Sequence, residues 1–394
     1  MNSIAASPMP TTLSAHPRAG QSMSGAEIIV QVLADEGVDT IFGYSGGAIL
    51  PTYDAIFRHN DQQSQLATGA RPMPLIVPAN EQGAGFMAAG YARASGKVGV
   101  CVVPSGPGAT NTVTPVRDCA ADSIPIVVIC GQVGTSAIGS DAFQEAPVSN
   151  IMGAVAKHCF LVTDPAKLEA TVRTAFEIAR SGRPGPVVID IPKDVQNWAG
   201  TYQGSGLLPM RGYHARLQAL RARTLADEHA AKFFQMLGEA ERPLIYAGGG
   251  VIHSDGAAEL RAFAHEFGIP VVTTLMGIGT YDTTEPLALH MLGMHGAAFA
   301  NYAVDDCDFL FCLGARFDDR VAGVPAKFAR NAKRIAHMDV DASEINKVKR
   351  VQWSHVGLLP PALAALGAHA KRTGFARDWS AWHRHLDELK QRHA

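Results

Sequence analysis

Charge is scarce in this chain and almost balanced. Only 18% of its 394 residues are Asp, Glu, Lys or Arg, and the formal net charge is −2. Such a surface has no surplus of cations to neutralise phosphates, which argues against nucleic acid or an anionic membrane as a partner. Long hydrophobic runs are missing as well. Stretches such as "PIVVIC" (125–130) fall far short of the roughly 20 apolar residues that span a bilayer, and have the length of buried strands. Cysteine is sparse: Cys101, Cys119, Cys130, Cys159, Cys307 and Cys312, with no Cys-x-x-Cys pair and most inside apolar runs. That excludes a disulfide framework or a cysteine metal site on this chain and reads as buried, reduced thiols in a cytoplasmic protein. Acidic residues are absent from residues 1–24, which are rich in Ser, Pro and Thr. An organellar transit peptide would carry more Arg and an amphipathic pattern, so a disordered N-terminal tail is expected over 1–24.

From Gly25 onward, helical stretches alternate with short β-branched runs. "VDTIFGY" (38–44), "PLIVP" (74–78), "VGVCVV" (98–103), "IPIVVIC" (124–130) and "GPVVIDIP" (185–192) read as strands with helices between them. The pattern predicts an α/β domain over 25–195 with a doubly wound parallel sheet. Residues 196–224 are Gly-rich, irregular and then basic, and read as a linker. A second alternating set follows: "RPLIYAGGG" (242–250), a helix at 256–267, "IPVVTT" (269–274), "DFLFCLGAR" (308–316) and "RIAHMDVD" (334–341). This predicts a second doubly wound, Rossmann-like domain over 225–370, and one amphipathic helix over 371–394.

Several short stretches carry chemistry. Glu81 is the only acid in "ANEQGAGFMAAGYARASG" (79–96), at the start of a predicted helix, and the next charge is Arg93. In "YAGGGVIHSDG" (246–256) three glycines separate a strand from a helix, which lets backbone approach a phosphate at a helix N-terminus. The spacing is not G-x-G-x-x-G, so a tight strand–helix turn explains it equally well. "GARFDDR" (314–320) and "MDVD" (338–341) place acids just past strand ends, where ligands of open sheets sit. Helix capping is the competing role, and suits Asp341 better than Asp339. "PSGPGATN" (104–111) is a tight loop after a strand.

In this order the pieces resemble the large catalytic subunit of acetolactate synthase (acetohydroxyacid synthase), an enzyme family that depends on thiamine diphosphate. The resemblance is carried by "FGYSGGAILPTYDAI" (42–56), "NEQGAGFMAAGYARASGKVGV" (80–100), "SGPGATN" (105–111), "GQVGTSAIGSDAFQEAP" (131–147), "SGRPGPVVIDIPKDVQ" (181–196), "TTLMGIG" (273–279), "LGMHG" (292–296), "ANYAVDDCD" (300–308) and "GARFDDR" (314–320). It runs from about residue 25 to 350. It implies that the first domain binds the pyrimidine of thiamine diphosphate and that the second, central domain binds FAD in a mostly structural role. The implied activity is decarboxylation of pyruvate and condensation with a second 2-oxo acid, pyruvate or 2-oxobutyrate, in branched-chain amino acid (isoleucine and valine) biosynthesis.

The resemblance also gives Glu81 a role. In these enzymes a glutamate meets N1′ of the aminopyrimidine, and sharing a proton there makes the 4′-amino group basic enough to deprotonate the thiazolium. Such a carboxyl must hold its proton near neutral pH. Burial raises a carboxyl pKa and a helix N-terminus lowers it, and burial is expected to prevail here. By resemblance, Gly47 and Gln144 lie near the cofactor, and Phe143 and Lys193 line the substrate entrance. The flavin contacts are expected at Arg183, Gly249, Thr274, Leu275 and Met276. They continue through Leu292, Gly293, Met294 and His295, then Gly314, Ala315, Arg316, Phe317 and Asp318, and Asp339. The chain departs from the family at Asn80, where many members have His, and at Ser45 and Gly134, where they have Pro.

Family members carry a third domain that holds the diphosphate through Mg²⁺ with a Gly-Asp-Gly and a later Asn. No Gly-Asp-Gly occurs here. The expectation is therefore a large-subunit piece without its diphosphate domain, with no metal site of its own and inactive alone. Alternatives are one half of a split enzyme, a noncatalytic flavin-binding or regulatory paralogue, or another thiamine-diphosphate-dependent 2-oxo acid carboligase or decarboxylase. Expected partners are further copies of the chain, a separate diphosphate-domain chain or a small regulatory subunit.

Overall fold

The computed structural model describes residues 16–66 and 68–393, so most of the tail expected over 1–24 lies outside the described residues. The chain divides into two units, Met1–Arg211 and Gly212–Ala394.

The first unit runs β1 (Ser22–Ser24), α1 (Gly25–Asp35), β2 (Ile41–Gly43), α2 (Leu50–Ser64), β3 (Leu75–Ile76), α3 (Glu81–Ser95), β4 (Gly99–Val103) and α4 (Pro107–Thr110). It continues α5 (Val113–Asp122), β5 (Ile126–Gln132), α6 (Val148–Gly153), β6 (His158–Leu161), α7 (Leu168–Arg180), β7 (Val187–Pro192), α8 (Lys193–Asn197) and β8 (Ala199–Thr201). Six strands form a parallel sheet in the order β3-β2-β4-β5-β7-β6. β4, β5 and β7 are buried at every residue, as expected of central parallel strands covered on both faces. β6 was not foreseen: "HCFL" is short and only half-buried, so its pattern is weak.

The stretch expected as a linker is instead folded onto this unit over its first part. β8 pairs antiparallel with β1. Tyr202 is fully buried and donates to Asp35, which also accepts from Arg173 at 2.6 Å. Its Gly-rich composition hid one anchoring aromatic that reaches a partly buried ion pair far away in sequence.

The second unit runs α9 (Tyr213–Arg221), α10 (Asp227–Gly238), β9 (Pro243–Ala247), α11 (Gly249–His253), α12 (Ala257–Phe267), β10 (Val271–Thr273) and β11 (Ala288–Met291). Then come α13 (Ala298–Asp306), β12 (Phe309–Leu313), β13 (Arg334–Asp339), β14 (Trp353–Val356), α14 (Leu359–Thr373) and α15 (Ser380–His393). Its sheet is also parallel, ordered β11-β10-β9-β12-β13-β14. Residues 371–394 are not one helix leading away. α14 ends at Thr373 with Gly374 in the left-handed conformation, and α15 starts at Ser380. Its Trp382, Leu386 and Leu389 are buried in this unit's core. The Trp379 and Trp382 indoles donate to the carbonyls of Phe267 (2.7 Å) and Pro243 (3.0 Å). Among the described residues no helix is long and apolar enough to cross a membrane.

Candidate functional site

In the first sheet the chain moves outward from β2 to β3, then returns to place β4 on the other side of β2. A reversal of this kind opens a crevice beyond the C-terminal ends of the two strands, the usual ligand position in open α/β sheets. The loops leaving β2 and β4 close on one another there. A Cβ on Gly46 would lie 2.5 Å from the Cβ of Pro104, and one on Gly108 would lie 2.4 Å from the Cγ of Pro104.

Glu81 opens α3, which follows β3 beside this crevice. Asn80 caps the helix, its side chain accepting from the Gly83 N–H at 2.8 Å, a role that suits Asn. Glu81 is only 8% exposed. Its Oε2 accepts a hydrogen bond from Asn111 Nδ2 at 2.9 Å, and its Oε1 would be 3.3 Å from a Cβ on Gly108. Gly108 thus leaves the space in which the carboxyl sits. Burial, and after it the charge of neighbouring groups including Glu81, pushes the Tyr53 phenol and the Cys101 thiol up.

The loop after β5 forms a further wall. Gly106, at φ +55°, would bring a Cβ within 2.5 Å of the Gln144 carbonyl, so only glycine lets the two main chains meet. Gln144 itself has φ +58°. Phe143 beside it is 88% exposed. Lys193 is exposed at the start of α8, and a Cβ on Gly47 would meet nothing within 4 Å. Arg183 belongs to this first unit, where its Nε donates to Ser123 Oγ at 2.9 Å.

The second sheet repeats the device. The chain moves outward from β9 through β10 to β11, then returns with β12 on the other side of β9. The loops at this reversal are the triple-glycine turn and "GARFD". They touch through main chain: Gly250 N–H donates to the Gly314 carbonyl at 3.0 Å, and a Cβ on Gly250 would lie 2.6 Å from Gly314 Cα. Met276 packs on Gly249, where an added Cβ would be 3.0 Å from the Met276 Cβ. The Met294 N–H donates to the Arg320 carbonyl at 2.9 Å, and Asn301 brackets Gly293 by bonds of 2.8 and 3.0 Å. The structure therefore brings together 249, 274–276, 292–295 and 314–318 at one end of the sheet. Asp339 ends β13 at the same edge, mostly buried, and accepts from the Asp341 N–H at 2.9 Å. Asp341 caps the short turn after it, as expected, by accepting from Ser343 N–H at 2.9 Å.

Sequence reading missed the residues that hold these loops. Asn111 lay in a quoted motif, but its bond to Glu81 spans 30 positions. Tyr246 and His337, both fully buried, donate to the successive carbonyls of Arg316 (2.7 Å) and Ala315 (3.0 Å) and so fix the "GARFD" loop. Asp190 had a signal, a lone acid in the apolar run "GPVVIDIP".

Burial pushes the Asp190 carboxyl up to about 7, although Gln132 donates to it at 2.9 Å. The native state then keeps a proton that the unfolded chain releases near its ordinary pKa of 3.8, so stability falls as pH rises from about 4 to about 7 and stays low above that. Asp190→Asn removes this pH dependence. The advantage of the variant over wild type in urea unfolding is expected to widen by up to about 2–3 kcal/mol between pH 5 and pH 8. A gap independent of pH would refute the assignment.

Comparison with known proteins matches these two units to two domain families. The "thiamine pyrophosphate enzyme, N-terminal TPP binding domain" matches residues 23–152. The "thiamine pyrophosphate enzyme, central domain" matches residues 230–366. The chain is 43% identical to the acetolactate synthase large subunit of Corynebacterium glutamicum over 98% of its own length and 59% of that protein. It is 43% identical to the chloroplastic acetolactate synthase 1 of Oryza sativa subsp. japonica over 93% of its length and 54% of that protein. A third relative, the acetolactate synthase large subunit of Parasynechococcus marenigrum, is 43% identical over 95% of this chain and 59% of its own. The chain thus spans somewhat more than half the length of the curated relatives it matches. Two consecutive domain matches covering more than half of the residues, each laid on a parallel sheet with its loops gathered at a strand-order reversal, place this chain in the thiamine pyrophosphate enzyme family.

Proposed function

We propose that the chain supplies the pyrimidine-activating and flavin-binding units of an acetolactate synthase large subunit, joining pyruvate to pyruvate or 2-oxobutyrate for branched-chain amino acid synthesis. The observation that carries this reading is Glu81: a buried carboxylate, held by Asn111, at the crevice where the first sheet reverses. The residues fit the cofactor, since Gly108 leaves open the space beside the Glu81 carboxyl and Gly106 lets the Gln144 main chain approach. Thiamine diphosphate, when bound, supplies the carbon nucleophile and the electron sink. Glu81 would meet the aminopyrimidine through Oε1 and share a proton with it there, and Asn111 fixes the carboxyl's orientation from the other oxygen. The Gly46 and Gln144 loops close the crevice against water, and Phe143 and Lys193 stand at its entrance.

FAD is proposed for the second unit, and Mg²⁺ with the diphosphate for a domain outside these two. The triple-glycine turn and the "GARFD" loop are where a Cβ would fill the cradle, which suits close approach to a pyrophosphate. Gly250→Ala pushes these loops apart. It is expected to weaken FAD binding at least about tenfold in a flavin-fluorescence titration, and to cost about 1–3 kcal/mol in unfolding. Unchanged FAD affinity would place the flavin elsewhere. The buried free thiols fit a reducing compartment such as the cytoplasm. Exposed apolar side chains on α2 and α3, among them Phe57, Phe86 and Met87, support assembly with further copies.

The test is a chimaera of this chain with the C-terminal portion of the Corynebacterium glutamicum large subunit, supplied with thiamine diphosphate, Mg²⁺ and FAD. Acetolactate from pyruvate is expected. A folded, FAD-bearing chimaera that makes none would overturn the reading.

A further inference from the structure

One short segment, residues 190–196, bonds to both loops that face each other across the first crevice. Asp190 lies buried within β7, two residues before its end, and one of its oxygens accepts from Gln132 Nε2 at 2.9 Å. The same amide nitrogen donates to the Ala146 carbonyl at 3.0 Å, and Gln132 Oε1 accepts from the Val133 N–H at 2.9 Å. Asp190 therefore reaches, through Gln132, both feet of the 133–147 loop. Asp194 takes a second grip on that loop. Its carboxylate accepts from the Thr135 N–H at 3.0 Å and from the Thr135 hydroxyl. The span between is closed by Glu145, which accepts from the N–H groups of Gly139 and Ala142. Gln196, fully buried, holds the opposite wall. Its Nε2 donates to the Ala48 carbonyl at 2.8 Å and its Oε1 accepts from the Thr52 hydroxyl at 2.9 Å.

We propose that residues 190–196 act as a positioning clamp that sets the 133–147 loop, with Phe143 and Gln144, against the 45–49 loop. Asp190, Asp194 and Gln196 are positioning residues, acting through the loops they hold. The second oxygen of Asp190 is buried without a hydrogen-bond partner, a cost that a strand position needing only packing would avoid with Leu or Val. The functional weight of the clamp rests on the proposal that these loops border the cofactor, but the clamp itself is read without any ligand, so the two fail separately.

Phe143 gives the readout, because it is exposed in the loop and is a chymotrypsin target. Cleavage after Phe143 is followed by mass under native conditions in the full chain, alongside urea unfolding. Asp190→Leu, which cuts the relay, and Asp194→Ala, which frees Thr135, are each expected to speed this cleavage about tenfold or more. Asp190→Asn keeps an acceptor for Gln132 and is expected to stay within about twofold of wild type. If Asp190→Leu does not fold, Asp194→Ala at its exposed position decides alone. Cleavage at the wild-type rate in the folded variants overturns the clamp, and Asp190→Asn cleaving as fast as Asp190→Leu overturns the relay through Gln132.

Discussion

Glu81→Gln is expected to lower acetolactate formation by the chimaera about 10²–10⁴-fold, the range for losing one positioned acid–base group. Glutamine keeps the size of the side chain and an oxygen that accepts from Asn111, so α3 and its Asn80 cap stay in place. What it loses is a group able to carry an exchangeable proton on oxygen. The deficit should therefore appear in kcat as well as kcat/KM, with FAD binding by the second unit unchanged. A variant as active as wild type would remove Glu81 from the reaction, whatever else the crevice binds.

Trp382→Ala carries the largest expected loss of stability, about 3–5 kcal/mol for truncating a buried aromatic. Trp382 is 2% exposed, stacks on His385 and donates to the Pro243 carbonyl at 3.0 Å, at the start of a central strand. Its removal opens a cavity between α15 and β9 and leaves that carbonyl unpaired. Urea unfolding should show an earlier transition for the second unit. A shift below about 1 kcal/mol would mean that α15 is an accessory to the core, since surface substitutions commonly fall within that range.

The parallel strands were legible because their apolar runs are short, β-branched and bounded by Gly and Pro. The expected "VGVCVV" and "DFLFCLGAR" become β4 and β12. The half-buried edge strands β6, β11 and β14 were not seen, since edge positions relax the apolar pattern. Glu81 was legible as a charge without neighbours. Asn111, Tyr246 and His337 were not, because their role lies in bonds to residues 22 to 70 positions away. The terminal helix misled for a related reason: its amphipathic face was plain, but periodicity does not say which core that face joins.

The crevice beside Glu81 is walled by loops that close through glycine, where Gly106 meets the main chain of Gln144 and Gly46 meets the Pro104 ring. Walls of that kind separate shape from side-chain identity. Gly106 and Gly46 preserve the vessel whatever side chain stands at the outward Phe143. Heritable change is thereby steered away from these glycines, the positions at which any added Cβ would strike the opposing loop and drift is least tolerated.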